Sequence, residues 1–90
     1  MYSKTVTIVN QTGLHARPAS EFIGAASKFK CDLHIKNTST GKSANAKSII
    51  MLLALALTKD TQVEITGDGE DEQQAVDSLV CLIESGFSEG

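Results

Sequence analysis

Ninety residues allow one domain with a modest core, and chains of this length fold without disulfide or metal staples. A hydrophobic share of 41% argues against disorder, and a net charge of -3 leaves no electrostatic footprint for nucleic acid. Met1-Tyr2-Ser3-Lys4 lacks the apolar stretch of a signal peptide, so a cytoplasmic chain without membrane insertion is expected.

The first element in chain order is Thr5-Val6-Thr7-Ile8-Val9, whose alternation of polar and apolar residues predicts a half-buried strand. Asn10-Gln11-Thr12-Gly13 is turn chemistry. From Ala16 onward, Ala19, Phe22, Ile23, Ala26 and Phe29 recur at helical spacing, and Pro18 suits a first helical turn. His15 is thereby predicted at or just before a helix N-terminus. The unpaired N–H groups there, those of Ala16 and Arg17 among them, favour an anion. The Arg17 guanidinium adds a planar fork suited to phosphate oxygens. A cation is mildly unfavourable at that end of a helix, which argues for a functional rather than a structural Arg17. A neutral imidazole is a good nucleophile near neutral pH. The run carries no carboxylate, no second histidine and no Gly-Lys-Ser/Thr loop for a nucleotide. These parts suit a carrier of phosphate better than a self-sufficient kinase, although a lone histidine in such a place also reads as an exposed residue near a helix cap.

The second strand is predicted over Cys31 to Lys36, with Leu33 and Ile35 inward and Asp32, His34 and Lys36 outward; His34 is read as a solvated strand residue. Asn37-Thr38-Ser39-Thr40-Gly41 forms a polar hairpin loop, and Lys42 to Ala46 a weak return strand. Ser48 is a favourable helix N-cap ahead of the unbroken apolar run Ile49 to Leu57. That run is far shorter than the roughly 20 residues of a membrane span. It is apolar on all sides, so it is either fully buried or offers an apolar patch to partners. Leu52 and Leu55 are expected in the core. A fourth strand is predicted over Gln62 to Thr66, a turn at Gly67-Asp68-Gly69, and a last helix that opens with Glu70, Asp71 and Glu72. Ala75, Val76, Leu79, Leu82 and Ile83 are its buried stripe, Gly86 its stop, and Phe87 to Gly90 a frayed tail. Cys31 and Cys81 have no metal-ligand spacing and are read as reduced, small hydrophobes. The alternation implies an antiparallel sheet with one wet face and one face covered by helices, compatible with a ferredoxin-like layout.

Gly13-Leu14-His15-Ala16-Arg17-Pro18-Ala19 resembles the phosphohistidine signature of the HPr family, phosphocarriers of the bacterial phosphoenolpyruvate-dependent sugar phosphotransferase system. The resemblance continues through Gly41-Lys42-Ser43-Ala44-Asn45-Ala46-Lys47-Ser48 and Gly69-Glu70-Asp71-Glu72-Gln73-Gln74-Ala75-Val76, in enteric-type wording, and covers Lys4 to about Ser85. The loop at residues 37–41 is longer than is usual in the family. The resemblance implies an α+β fold, an open-faced β-sandwich of order βαββαβα with three helices on one face of a four-stranded antiparallel sheet, in a single domain over residues 1–90. It further implies phosphoryl transfer from enzyme I to His15, most simply on Nδ1, with Arg17 and the backbone of Ala16 and Arg17 holding the phosphate. The recipient would be the A domain of a sugar-specific enzyme II.

By the same resemblance, Ile49, Ile50, Met51 and Leu53 lie at a partner-binding surface; Ser20 is grouped with them and is assigned no chemistry of its own. Met51 and the uncharged Gly24 suggest docking that is more hydrophobic than charge-driven. Ser48 matches a position phosphorylated for regulation in some branches of the family, against its plainer role as a cap. No metal and no cofactor are expected, and the chain is expected to act as a monomeric carrier with a covalent phosphohistidine rather than as a stand-alone enzyme. The alternatives are a nitrogen-branch phosphocarrier paralogue and a regulatory module that meets regulatory proteins through the same surface.

Overall fold

A computed structural model describes residues 1–14 and 16–88. The elements run β1 (Tyr2–Thr7), α1 (Ala16–Ala26), β2 (Asp32–Asn37), β3 (Ser43–Asn45), α2 (Ile49–Ala54), β4 (Gln62–Asp68) and α3 (Glu72–Glu84), followed by a 3₁₀ turn at Gly86–Ser88. The strands form one sheet of order β1-β4-β2-β3, antiparallel at every pairing. Val6, Leu33, Ile35, Ala44, Val63 and Ile65 face inward and are buried under the helices. On the other face, Thr5 and Lys36 flank Glu64, and His34 stands beside Thr66, open to water as expected. The period-2 pattern thus places one apolar and one polar face, and the helices cover only the apolar one. This is the expected α+β open-faced sandwich.

Several boundaries shift for identifiable reasons. β1 starts and ends earlier than the alternation predicts, because Tyr2 is held through its hydroxyl, which donates to Asp77 Oδ1 at 2.9 Å. Lys4 Nζ meets the same oxygen at 2.9 Å. Ile8, just past β1, still exchanges hydrogen bonds with the loop before β4: its N–H donates to the Thr61 carbonyl, and its carbonyl accepts from Asp60. α1 stops at Ala26, so Phe29 packs half-buried from the following loop. α2 is only six residues long and ends before the apolar run does. Leu52 is fully buried as expected, Leu55 only partly, and Leu57 fills the core from beyond the helix end.

In α3, Ala75, Val76, Leu79 and Ile83 are buried, Val80 joins them, and Leu82 is half-buried. Cys31 is a buried small hydrophobe as read, with burial as the main cause that pushes its thiol up to about 11. Cys81 is not: it lies on the exposed face of α3. The frayed tail also needs correction at Phe87. Gly86, at φ 72°, turns the chain back in the left-handed region open to glycine, and Phe87 is only 3% exposed within the core. An aromatic side chain that buries this completely outweighs the end-fraying of a terminal segment.

The expectation that Glu70, Asp71 and Glu72 together open the last helix is also refined. α3 begins at Glu72, whose Oε1 accepts from the Gly69 N–H at 3.1 Å. Asp71 makes no side-chain cap to its own helix. It reaches instead to the connection between α1 and β2, where Oδ2 accepts from Lys30 N at 2.9 Å and Oδ1 from Cys31 N at 3.0 Å. Lys47 takes the carbonyls of the same connection, its Nζ donating to Phe29 O at 2.7 Å and Cys31 O at 2.9 Å. An anion and a cation thus satisfy opposite sides of one strand entry.

The Lys30 N–H, with the Cys31 groups, holds the Asp71 carboxyl below the ordinary aspartate range. A carboxyl lowered by folding stabilises above its unfolded pKa, and that contribution is lost as the pH falls through the folded value. The melting temperature should therefore fall on acidification below about pH 4, and Asp71→Asn should show a shallower acid limb in a pH series of thermal melts. Phe87→Ala should cost about 3 kcal/mol by denaturant titration, where a frayed tail would show almost no change.

Candidate functional site

The loop between β1 and α1 is built by Asn10 and Gly13. Asn10 is only 5% exposed, and its Nδ2 donates to the Gly13 carbonyl at 2.8 Å and reaches Thr12 Oγ1 at 3.3 Å. The Gly13 N–H returns to the Asn10 carbonyl at 3.2 Å and closes the turn. Gly13 adopts φ 66° and lies so close to the chain leaving α2 that a Cβ there would collide with the Leu57 carbonyl oxygen. The next N–H, that of Leu14, donates to that same carbonyl at 2.9 Å, and the Leu14 side chain is buried. The loop is thus latched to the exit of α2.

His15 lies outside the described residues. α1 begins at Ala16, the next residue in sequence, so the N–H groups of Ala16 and Arg17 belong to its first turn, where no intrahelical acceptor exists. No acidic residue stands in that turn to compete for an anion. Arg17 is exposed, Pro18 and Ala19 are buried beneath it, and Ser20 is exposed one position further along α1. This arrangement can receive an anion at a preformed cluster of donors, with a guanidinium free to reach it.

α1 packs against α2. Ser48 occupies the N-cap of α2, its hydroxyl accepting from the Met51 N–H at a long 3.4 Å. Ile49, Ile50, Met51 and Leu53 are 39%, 80%, 47% and 41% exposed, so the apolar run is split between Leu52 in the core and a patch open to water. Leu53 joins Thr12, Leu14, Ala56, Leu57 and Thr58 around a concavity of about 320 Å³. The structure therefore brings one edge of the apolar patch to the loop that precedes His15, and the lining of this concavity includes neither Arg17 nor Ser20. Among the described residues no cluster of three or more His, Cys, Asp or Glu is arranged to hold a metal ion, and no helix is long and apolar enough to cross a membrane.

Sequence reading missed Asn10, Ala56 and Leu57. Asn10 reads as one turn residue among four. Ala56 sits at φ 51°, in the left-handed position after the α2 cap that usually calls for glycine. With no Gly or Pro there, nothing in the apolar run marks where the helix stops. The two left-handed positions should respond with opposite signs. Gly13→Ala should cost more than about 1 kcal/mol, because strain and the Leu57 contact act together, whereas Ala56→Gly should gain up to about 1 kcal/mol. Thermal melts of the two variants beside the parent check both.

The PTS-HPr family model, described as the PTS HPr component phosphorylation site, matches residues 2–85. The chain is 53% identical over 83 residues to the phosphocarrier protein HPr of Haemophilus influenzae, covering 92% of this chain and 95% of that protein. Among solved structures, HPr-C-His from Thermoanaerobacter tengcongensis superposes at a TM-score of 0.95 with 41% identity, over 100% of this chain and 99% of that one. An HPr dimer from the same organism matches at 0.78 with 42% identity, over 99% and 100%. A family match across nearly the whole chain, joined to the same sheet order and helix placement, shows that the chain belongs to the HPr family of phosphotransferase-system phosphocarriers.

Proposed function

We propose that this chain carries a phosphoryl group on His15, taken from enzyme I charged by phosphoenolpyruvate and passed to the A domain of a sugar-specific enzyme II in the cytoplasm. The observation that supports this reading most is the junction before α1: a latched loop leads to a helix whose first turn has N–H donors without intrahelical acceptors, an exposed Arg17 and no acid. The lone pair of the neutral imidazole, on Nδ1 in this reading, attacks phosphorus, and the bond from phosphorus to the donor breaks as the P–N bond forms. The N–H groups of Ala16 and Arg17 and the Arg17 guanidinium hold the added negative charge. Arg17 is exposed, so water screens its charge and the phosphoryl group is held loosely enough to be handed on.

The apolar patch of Ile49, Ile50, Met51 and Leu53 is the docking surface in this reading, with Ser20 at its margin. Donor and acceptor meet the same patch in turn in this reading, which favours a monomer, although several solved relatives, an HPr and Crh among them, are dimers. The reaction draws on no cofactor or metal of this chain. Ser48 serves as the cap of α2; phosphate there would place two negative charges beside the patch and oppose docking to an acidic partner.

Intact-mass measurement after incubation with enzyme I and phosphoenolpyruvate, beside a His15→Ala control, tests the reading. One added phosphoryl group, lost in acid and absent from a folded control, is the expected result. A control that still takes up phosphate would refute His15 as the acceptor. No uptake by the parent chain would favour the nitrogen-branch or purely regulatory alternatives.

A further inference from the structure

We propose that Asn10 is a positioning residue for phosphoryl transfer, holding the backbone that leads into His15; this rests on the carrier reading above. Three consecutive polar groups of the backbone lie just before that histidine: the Gly13 N–H, the Gly13 carbonyl and the Leu14 N–H. Asn10 takes the first two, through its own carbonyl at 3.2 Å and its side-chain Nδ2 at 2.8 Å. The Leu57 carbonyl takes the third at 2.9 Å.

An asparagine in a turn ordinarily bonds the backbone two residues on, and that bond only stabilises the turn. Here the side chain reaches the carbonyl three residues on and fixes the plane of the Gly13–Leu14 peptide. That peptide is also the one with the least steric restraint, since Gly13 at φ 66° has no side chain of its own to limit it. The amide therefore supplies the orientation that glycine cannot. At 5% exposure, Asn10 is withdrawn from any partner that docks on α2, so it acts through the loop and not by touching the donor.

Two variants separate this role from simple stabilisation. Asn10→Asp keeps the shape but replaces two donors with acceptors facing the Gly13 carbonyl, and Asn10→Ala removes the donors without adding charge, should the first not fold. Initial rates of phosphoryl uptake from charged enzyme I are measured against chain concentration, at a temperature where circular dichroism shows each variant folded. Misplacement of the acceptor loop should lower kcat about tenfold and leave KM within about twofold, because Ile49, Ile50 and Met51, away from the loop, still present most of the patch. A folded variant with kcat within about twofold of the parent, or a loss confined to KM, would overturn the positioning role and leave the carrier reading intact. A parent chain that accepts no phosphate would instead overturn the carrier reading, and the positioning role with it.

Discussion

The Leu57 carbonyl joins two parts of the molecule that the sequence keeps more than forty residues apart. It accepts the Leu14 N–H, and Gly13 lets the two backbones approach by offering no side chain to the gap. Everything proposed for this chain depends on that seam. The loop before α1 has little core of its own, so its direction is borrowed from the residues that leave α2. Those residues are in turn fixed because Leu52 and Leu57 are anchored in the core on either side of the helix end. The exposed apolar residues of α2 and the loop before α1 thus share one frame.

Much of the fold was readable from the sequence because its strands alternate cleanly. Leu33 and Ile35 inward with His34 outward, and Val63 and Ile65 beside them, leave little freedom in which face is buried. The split of the second helix was legible only as an excess of apolar residues. Periodicity cannot say which side of a uniformly apolar run faces water, and Ile50 and Leu52 differ in exposure only through what packs around them. Phe87 was misjudged because a glycine near the end of a chain reads as a stop, whereas here it reverses the chain onto the core. The run Gly13 to Pro18 marked the candidate site in the sequence, and Gly13, Leu14 and Arg17 lie in the latched loop and the first turn of α1. The supports at Asn10 and Leu57 were not legible there, because hydrogen bonds from a side-chain amide and a distant carbonyl leave no periodic trace.

The charged residues divide between surface and support. On the open face of the sheet, Lys36 and Glu64 are directly opposed across β2 and β4 and keep that face wet. Asp71 and Lys47 spend their charge on peptide groups at the entry to β2. The edges of the sheet are also modest: β3 has only three residues, and β1 carries Lys4 along its length. Short or charged edges discourage strand-to-strand association of copies. Among the described residues, the large exposed apolar side chains other than Met1 and Val9 all lie on α2.

The strand order carries a consequence for how the chain reaches this structure. β4 pairs with both β1 and β2, and Tyr2 finds its partner at Gly67. The first strand therefore has no hydrogen-bonded neighbour until a span of more than fifty residues has closed around it, while β2 and β3 meet across a short hairpin. Loop-closure entropy rises with the length of chain enclosed, and chains dominated by such distant contacts fold slowly. The loop that leads into His15 follows β1 directly and takes its latch from Leu57. That loop, like β1, therefore waits on contacts distant in sequence, whereas the β2–β3 hairpin does not.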